Sequence, residues 1–110
     1  MLKLAVVMNA QGVIEAWTLL AEELFGFSAE EALGKPLGDL IVPEAMRPYH
    51  EMGFKRYVQT REAHCVGFAV EIEALHKDGR LIPIEMKILP TEDTEELLFQ
   101  AHIRQLTPEF

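Results

Sequence analysis

Two stretches in the second half of the chain alternate apolar and polar side chains, and a short glycine-containing segment joins them. Residues 68–74 and 82–88 each place an apolar residue at every second position. A period of two is typical of β-strands that bury one face. The joining segment, residues 77–80, reads Lys-Asp-Gly-Arg, a composition that favours a tight turn. The pattern therefore predicts an antiparallel hairpin and a fold built on a sheet with one apolar face.

The length of the hairpin loop decides which residues of the two strands face each other. A two-residue loop would set glutamates against isoleucines and mix the two faces. A three-residue loop with Gly79 in the left-handed conformation pairs Val70 with Met86 and Ile72 with Ile84, so that one face stays apolar. We therefore predict the three-residue loop.

Three further strands follow from apolar runs elsewhere in the chain. Runs at residues 4–8 and 13–17 flank a turn that Gly12 closes. Residues 97–106 form the last predicted strand, and its inward positions are apolar: Phe99, Ala101 and Ile103. The chain is thus expected to form a five-stranded antiparallel sheet.

Capping residues mark two short helices between the second strand and the middle of the chain. Thr18 can open the first helix, and Gly26 supplies the left-handed residue that ends it. Ser28 and Glu31 have the spacing of a capping box, which opens a second helix that Gly34 stops.

A third and longest helix is predicted from Pro43 to about Thr60, after a loose turn at residues 36–41. The side chains on the face that we expect to point at the sheet are Met46, His50, Gly53, Phe54 and Tyr57. The predicted architecture is α+β, with the helices packed on one face of the sheet.

Composition excludes several classes of function. The chain has 110 residues, enough for one domain, and its net charge of −8 disfavours binding to nucleic acid or to an anionic membrane. Cys65 is the single cysteine and cannot form an internal disulfide, which indicates a cytoplasmic protein. The sequence has no phosphate-binding glycine loop and no nucleophile motif, so we expect no enzyme.

Four segments resemble a bacterial PAS domain, a sensory module of signal-transduction proteins. They read NAQGVIEAW from residue 9, AEELFGFSAEEALG from residue 21, KDGRLIP from residue 77 and HIRQLT from residue 102. Thr18 departs from the asparagine that many members carry after the tryptophan. The resemblance implies a single PAS domain over residues 1–110, a non-catalytic role and a separate effector domain in the parent protein. It also implies a homodimer, formed through the outer face of the sheet or through an N-terminal segment. Leu98, on the outer face of the last strand, is the apolar candidate for the dimer contact.

The third helix resembles that of haem-binding PAS sensors of the FixL and Dos type, in which a histidine ligates the iron. Residues 47–50 read Arg-Pro-Tyr-His, and the resemblance implies haem b with His50 as its axial ligand. It also implies that Arg56 and His64 lie near the haem propionates. Val70 stands where those sensors carry an arginine that meets bound oxygen. Haem binding implies a diatomic gas as ligand. Because Val70 offers bound oxygen no hydrogen-bond donor, we expect carbon monoxide to bind well and oxygen weakly.

Physical chemistry supports a ligand role for His50 and leaves others open. A buried neutral imidazole must satisfy both ring nitrogens, which iron on one and a carbonyl or water on the other would do. Gly53 costs a helix about 1 kcal/mol relative to alanine, and its missing side chain would let a flat macrocycle approach. Residues expected to line the ligand pocket beside the helix are Tyr57, Cys65, Val70, Met86 and Ile88.

Two alternatives remain at this point. His50 can instead be a structural histidine that bonds a backbone carbonyl, with Gly53 relieving crowding against a strand. The domain would then be a cofactor-free interaction or dimerisation module, or would bind another small ligand.

Overall fold

The computed structural model describes residues 1–48, 69–91 and 97–106. Its elements, in chain order, are β1 (Lys3–Asn9), β2 (Ile14–Trp17), α1 (Leu19–Phe25), α2 (Ala29–Ala32), α3 (Leu37–Ile41), a 3-10 helix (Glu44–Met46), β3 (Ala69–Leu75), β4 (Leu81–Thr91) and β5 (Leu98–Gln105).

The five strands form one sheet in the order β2-β1-β5-β4-β3, and every neighbouring pair is antiparallel. The last strand therefore lies between the two hairpins and joins them. This arrangement confirms the predicted five-stranded antiparallel sheet.

The β3–β4 hairpin has the predicted register. Val70 pairs with Met86 and Ile72 with Ile84. The His76 carbonyl accepts a hydrogen bond from the backbone N–H of Gly79, whose φ is 94°. A glycine is required here because other residues rarely adopt a positive φ. The loop is thus the three-residue loop that keeps one face of the sheet apolar.

The helices and the inner face of the sheet enclose the hydrophobic core. The inward residues of β5, Phe99, Ala101 and Ile103, are each at most 1% exposed. From β4, Ile82, Ile84, Met86 and Ile88 contribute to the same core. Among the described residues, the buried set contains no polar or charged side chain. Burial of apolar surface is the main favourable term in folding, so this core accounts for the stacking of helices on sheet.

Local capping sets both ends of α1 and the start of α2 as predicted. The Thr18 side chain accepts a hydrogen bond from the Ala21 N–H, and Gly26 ends α1 with φ 81°. Ser28 and Glu31 form the complete capping box of α2. Each of these contacts satisfies a backbone group that a helix end leaves unpaired.

The segment before residue 49 differs from the sequence prediction. Residues 36–41 were predicted to form a loose turn, but Leu37–Ile41 is helical and buries Leu37, Leu40 and Ile41. This spacing is that of a helical face, but over five residues it gives only a weak signal. Pro43 was predicted at the first helical position. It is extended instead, with φ −55° and ψ 141°, and precedes the 3-10 helix.

Met46 was predicted to face the sheet, and this prediction is wrong because its side chain is 53% exposed. The 3-10 turn at Glu44–Met46 explains the difference. It has three residues per turn rather than 3.6, so it changes the direction of side chains relative to a regular α-helix.

Candidate functional site

The inner face of the second hairpin forms an apolar surface that we call the β3–β4 wall. Its residues are Val70, Ile72, Ile84, Met86 and Ile88. Val70 lies directly opposite Met86, and Ile88 follows two residues along the same strand. The structure therefore brings together three residues predicted to line the ligand pocket.

Exposure varies along the β3–β4 wall. Ile84, Met86 and Ile88 on β4 are buried, whereas Val70 and Ile72 on the edge strand β3 are only partly buried. A partly accessible, wholly apolar surface suits a ligand that is itself largely apolar. It offers such a ligand dispersion contacts and no hydrogen-bond donor.

Six residues of the predicted site lie outside the described part of the chain. They are His50, Gly53, Arg56, Tyr57, His64 and Cys65. The assignment of His50 as an iron ligand therefore stays a prediction.

Each of the two described histidines contacts a polar group two residues away in the chain. His76 is 17% exposed, and its Nδ1 accepts a hydrogen bond of 3.1 Å from the Asp78 N–H. His102 points away from the core, with its Nε2 3.2 Å from the Gln100 Oε1. Within residues 1–48, 69–91 and 97–106, no three His, Cys, Asp or Glu side chains are grouped so that they could hold a metal ion.

Residues 18–33, which contain α1 and α2 and which we call the α1–α2 corner, are tied to the hairpin loop. The Lys77 N–H donates to the Phe25 carbonyl at 2.9 Å, and Lys77 Nζ donates to Glu31 Oε2 at 2.6 Å. Glu31 also accepts from the Ser28 N–H. The bond from Lys77, followed by that from Ser28, lowers the pKa of Glu31 from its ordinary value of 4.5 to about 2.

The ring of His76 completes this contact. A Cβ added at Gly26 would lie 2.5 Å from the His76 Cε1. Only a glycine therefore leaves room for the ring at the end of α1. The contact joins residues fifty positions apart, which no local sequence pattern indicates.

The role of Arg47 was not predicted from the sequence. Its Nε donates to the carbonyls of Gly38 at 3.1 Å and Val42 at 3.0 Å, and its Nη2 donates to the Asp39 carbonyl at 3.1 Å. Those carbonyls belong to the last turn of α3 and its cap, which a helix leaves without internal partners. An arginine after a helix end was the only available signal.

The outer face of the sheet is mixed in character. Arg104 Nε donates to Glu85 Oε1 at 2.6 Å. Leu98, the predicted dimer residue, is partly buried and lies on the face opposite to the inward Phe99. None of the helices in the described ranges is long and apolar enough to cross a membrane.

Comparison with protein families decides the identity of the domain. The model of the PAS fold matches residues 4–104. The chain belongs to the PAS family.

Relatives of this PAS domain include bacterial sensors. It is 29% identical over 102 residues to the sensor protein FixL of Bradyrhizobium diazoefficiens, and the match covers 93% of this chain but 20% of FixL. It is 24% identical over 105 residues to the oxygen sensor protein DosP of Escherichia coli, covering 96% of this chain and 13% of DosP. The PAS domain thus spans a fifth or less of these two proteins.

A solved PAS domain from Colwellia psychrerythraea has the same fold. It is 30% identical, with a TM-score of 0.74, and the match covers 94% of this chain and 86% of that one. PAS domains are sensory modules of signalling proteins, and this chain is one of them.

Proposed function

We propose that this PAS domain senses a gas or redox state through haem b bound to His50, within a cytoplasmic bacterial signal-transduction protein. The observation that carries the proposal is the β3–β4 wall, an apolar surface with no buried polar group on the described part of the sheet. A haem macrocycle is a large apolar ligand, so the wall fits it in chemistry. The match to an oxygen sensor and the resemblance of residues 47–50 to haem-binding members support the same proposal.

Each predicted site residue has a role in this proposal. His50 would hold the iron, Gly53 would leave room for the macrocycle, and Arg56 and His64 would lie near the haem propionates. Tyr57 and Cys65 complete the apolar lining with Val70, Met86 and Ile88. Haem, when bound, supplies an open coordination position for a diatomic gas and an iron centre that can change oxidation state.

Signal output requires partners. A change at the ligand would shift the equilibrium between two arrangements of the sheet and so the pose of an effector domain in the parent protein. We propose a homodimer through the outer face of the sheet, with Leu98 in the contact. Analytical ultracentrifugation at increasing concentration tests it, because a protein that stays monomeric has no such contact.

A second function is favoured by one observation. Apart from the Met86 thioether, the β3–β4 wall presents no side chain that would ligate or orient a particular cofactor, so it suits other apolar small molecules equally well. In that case, or in a cofactor-free interaction module, His50 has a structural role and binds no iron.

Haem titration of the purified protein separates these functions. Haem ligation by His50 predicts a Soret band that saturates at one haem per chain and is lost or greatly weakened in His50→Ala. The matched variants His64→Ala and His102→Ala should keep the band. No saturable Soret band in the folded wild type would exclude haem, and an unchanged spectrum in His50→Ala would assign the ligand elsewhere.

A further inference from the structure

The two outer strands of the sheet, β2 and β3, differ in what covers their free edges. On β2, the Ile14 N–H donates to the Lys35 carbonyl at 2.9 Å, and the Ile14 carbonyl accepts from the Gly34 N–H at 3.0 Å. The turn after α2 therefore pairs with that edge. An uncovered edge presents unpaired backbone groups to which another strand can be added, so the edge of β3 decides whether this sheet can accept one.

The hydrogen bonds of the second hairpin determine which backbone groups of β3 point away from β4. The His76 N–H donates to the Arg80 carbonyl at 2.8 Å, and bonded pairs alternate with non-bonded pairs along an antiparallel ladder. Glu73 lies opposite Pro83, in a non-bonded pair. The Pro83 carbonyl accept from the Leu106 N–H on the side of β5, as such a pair requires. Every second residue of β3 therefore turns its N–H and C=O outward, and we call this row the β3 edge: Ala69, Glu71, Glu73 and Leu75.

The β3 edge carries free backbone groups and free charges together. Within the described ranges, no strand lies beyond β3, and the outward backbone groups of Glu71 and Glu73 have no hydrogen-bond partner. Both carboxylates are exposed and form no ion pair with the described residues, whereas the neighbouring Glu85 is paired with Arg104. The edge thus offers a backbone template flanked by two negative charges that nothing in this part of the structure neutralises.

Charge determines what kind of strand the β3 edge can accept. An antiparallel pair of two copies centred on Ile72 would set Glu71 opposite Glu73 of the other copy, and like charges directly opposite each other are destabilising. The net charge of −8 adds to the repulsion between copies. Lysine or arginine at the same positions would be attracted instead. On the inner face, Val70 and Ile72 are only partly buried, so apolar side chains between the basic ones would extend the β3–β4 wall.

We propose that the β3 edge binds an extended basic segment of a partner protein, in which lysine or arginine alternates with apolar residues, as an added strand of the sheet. Backbone hydrogen bonds supply the affinity, and Glu71 and Glu73 select the basic side chains. The inference goes beyond the proposed function and does not depend on haem, because β3 keeps its pairing with β4 when a strand is added on its other side.

The test is an NMR titration with a seven-residue peptide in which lysine alternates with valine. We expect saturable binding of one peptide per chain and slower hydrogen exchange of the Glu71 and Glu73 backbone N–H groups. Methylation of the backbone nitrogens of the peptide's lysines removes the donors that would face the edge, so it should weaken binding by about tenfold or more. The matched peptide is methylated at its valines, whose N–H groups point away from the edge, and it should bind more tightly than the first methylated peptide.

Charge reversal on the protein tests the selection of basic side chains. The double variant Glu71→Lys with Glu73→Lys should bind the lysine peptide about tenfold more weakly. It should bind instead a peptide in which glutamate alternates with valine. Glu15→Lys with Glu23→Lys is the matched control, because it makes the same change of charge at exposed positions outside β3 and should keep the preference for the lysine peptide.

Three results would overturn the inference. The first is no saturable binding of the lysine peptide to the wild type. The second is binding that is insensitive to the position of methylation and falls equally in both double variants, since this would show a general attraction to an acidic protein. The third is slower exchange at Glu71 and Glu73 as the concentration of protein without peptide rises, which would assign the β3 edge to a second copy. The haem titration has no bearing on these outcomes, so the proposed function and this inference can fail separately.

Discussion

The α1–α2 corner and the β3–β4 wall use polar groups in opposite ways. At the corner, Thr18, Ser28 and Glu31 each hold a hydrogen bond to a helix end, and Lys77 ties Glu31 to the hairpin loop. The wall consists of aliphatic and thioether side chains alone. Polar groups that already bond one another are less available to a ligand, whereas an apolar surface contributes to binding through its burial.

This difference assigns separate tasks to the two regions. The α1–α2 corner stabilises the fold, and the β3–β4 wall is available to a ligand. Substitutions at the corner should therefore change stability but not haem affinity, and substitutions on the wall should change ligand choice. Variants at the corner and on the wall test that separation.

The largest effect is expected from Gly26→Ala. The added Cβ would displace the His76 ring and its hydrogen bond to the Asp78 N–H, and alanine is strained at φ +81°. We expect a loss of about 2–3 kcal/mol in the free energy of unfolding by urea.

Gly34→Ala is the matched control for that variant. Gly34 has φ +83° but nothing within 4 Å of the added Cβ, so only backbone strain of about 1 kcal/mol is expected. In a His76→Ala background, Gly26→Ala and Gly34→Ala should lower the free energy of unfolding by the same amount. Equal losses with His76 present would show that the ring does not press on Gly26.

On the wall, Val70→Arg should raise oxygen affinity relative to carbon monoxide. Dioxygen gains negative charge on binding, and a charged donor stabilises it by about 1.5–3 kcal/mol, or roughly ten- to a hundredfold. Carbon monoxide is less polar and gains little.

Measured affinities for both gases test this prediction. Ala69→Arg is the control, because Ala69 is exposed on the opposite face of β3 and should leave the ratio unchanged. A ratio that stays constant in Val70→Arg as well would show that Val70 does not face the gas.

Ser28→Ala should cost about 1 kcal/mol of stability, because it removes the side chain that accepts the Glu31 N–H at 3.2 Å. Ser28→Thr keeps a capping hydroxyl and should recover most of the loss. Haem affinity of the folded protein should not change in either variant. A weaker haem complex in Ser28→Ala would contradict the separation of corner and wall.

The smallest effect concerns pH. Since folding lowers the pKa of Glu31, chiefly through Lys77, its ionised form stabilises the folded state above the unfolded pKa of 4.5. That contribution is lost as pH falls from about 4.5 to about 2. Lys77→Met should flatten the dependence of stability on pH in this window. Lys35→Met, which removes another exposed lysine, should leave that dependence unchanged. The same slope in all three proteins would exclude the pair as its source. The effect is small because the pair is exposed to solvent.

The features that could be predicted from the sequence depend on interactions between residues close together in the chain. Thr18, Ser28 and Gly26 act within a few residues of the backbone groups that they satisfy, so α1 and α2 were predictable. The β3–β4 register was predictable too, because of the two short loops compared only the three-residue loop keeps the face apolar.

The missed features depend on distant partners. α3 has no side-chain N-cap, and the group that bonds its last carbonyls, Arg47, lies nine residues beyond Gly38. The fit of His76 against Gly26 joins two elements far apart in the chain. Of the candidate site, Val70, Met86 and Ile88 could be placed on one wall from period alone. The role of His50 could not, because an imidazole on an apolar helix face serves ligation and structure equally well.

The most direct test is an NMR measurement of which side chains surround the His50 ring in the protein without haem. Nuclear Overhauser effects between the ring protons and side-chain protons of Ile84, Met86 and Ile88 would place the imidazole against the β3–β4 wall. We predict such contacts, because both an iron ligand and a buried histidine require the ring to point at the sheet. A His50 ring whose N–H proton exchanges freely with solvent, and which shows no contact to the wall, would contradict both roles.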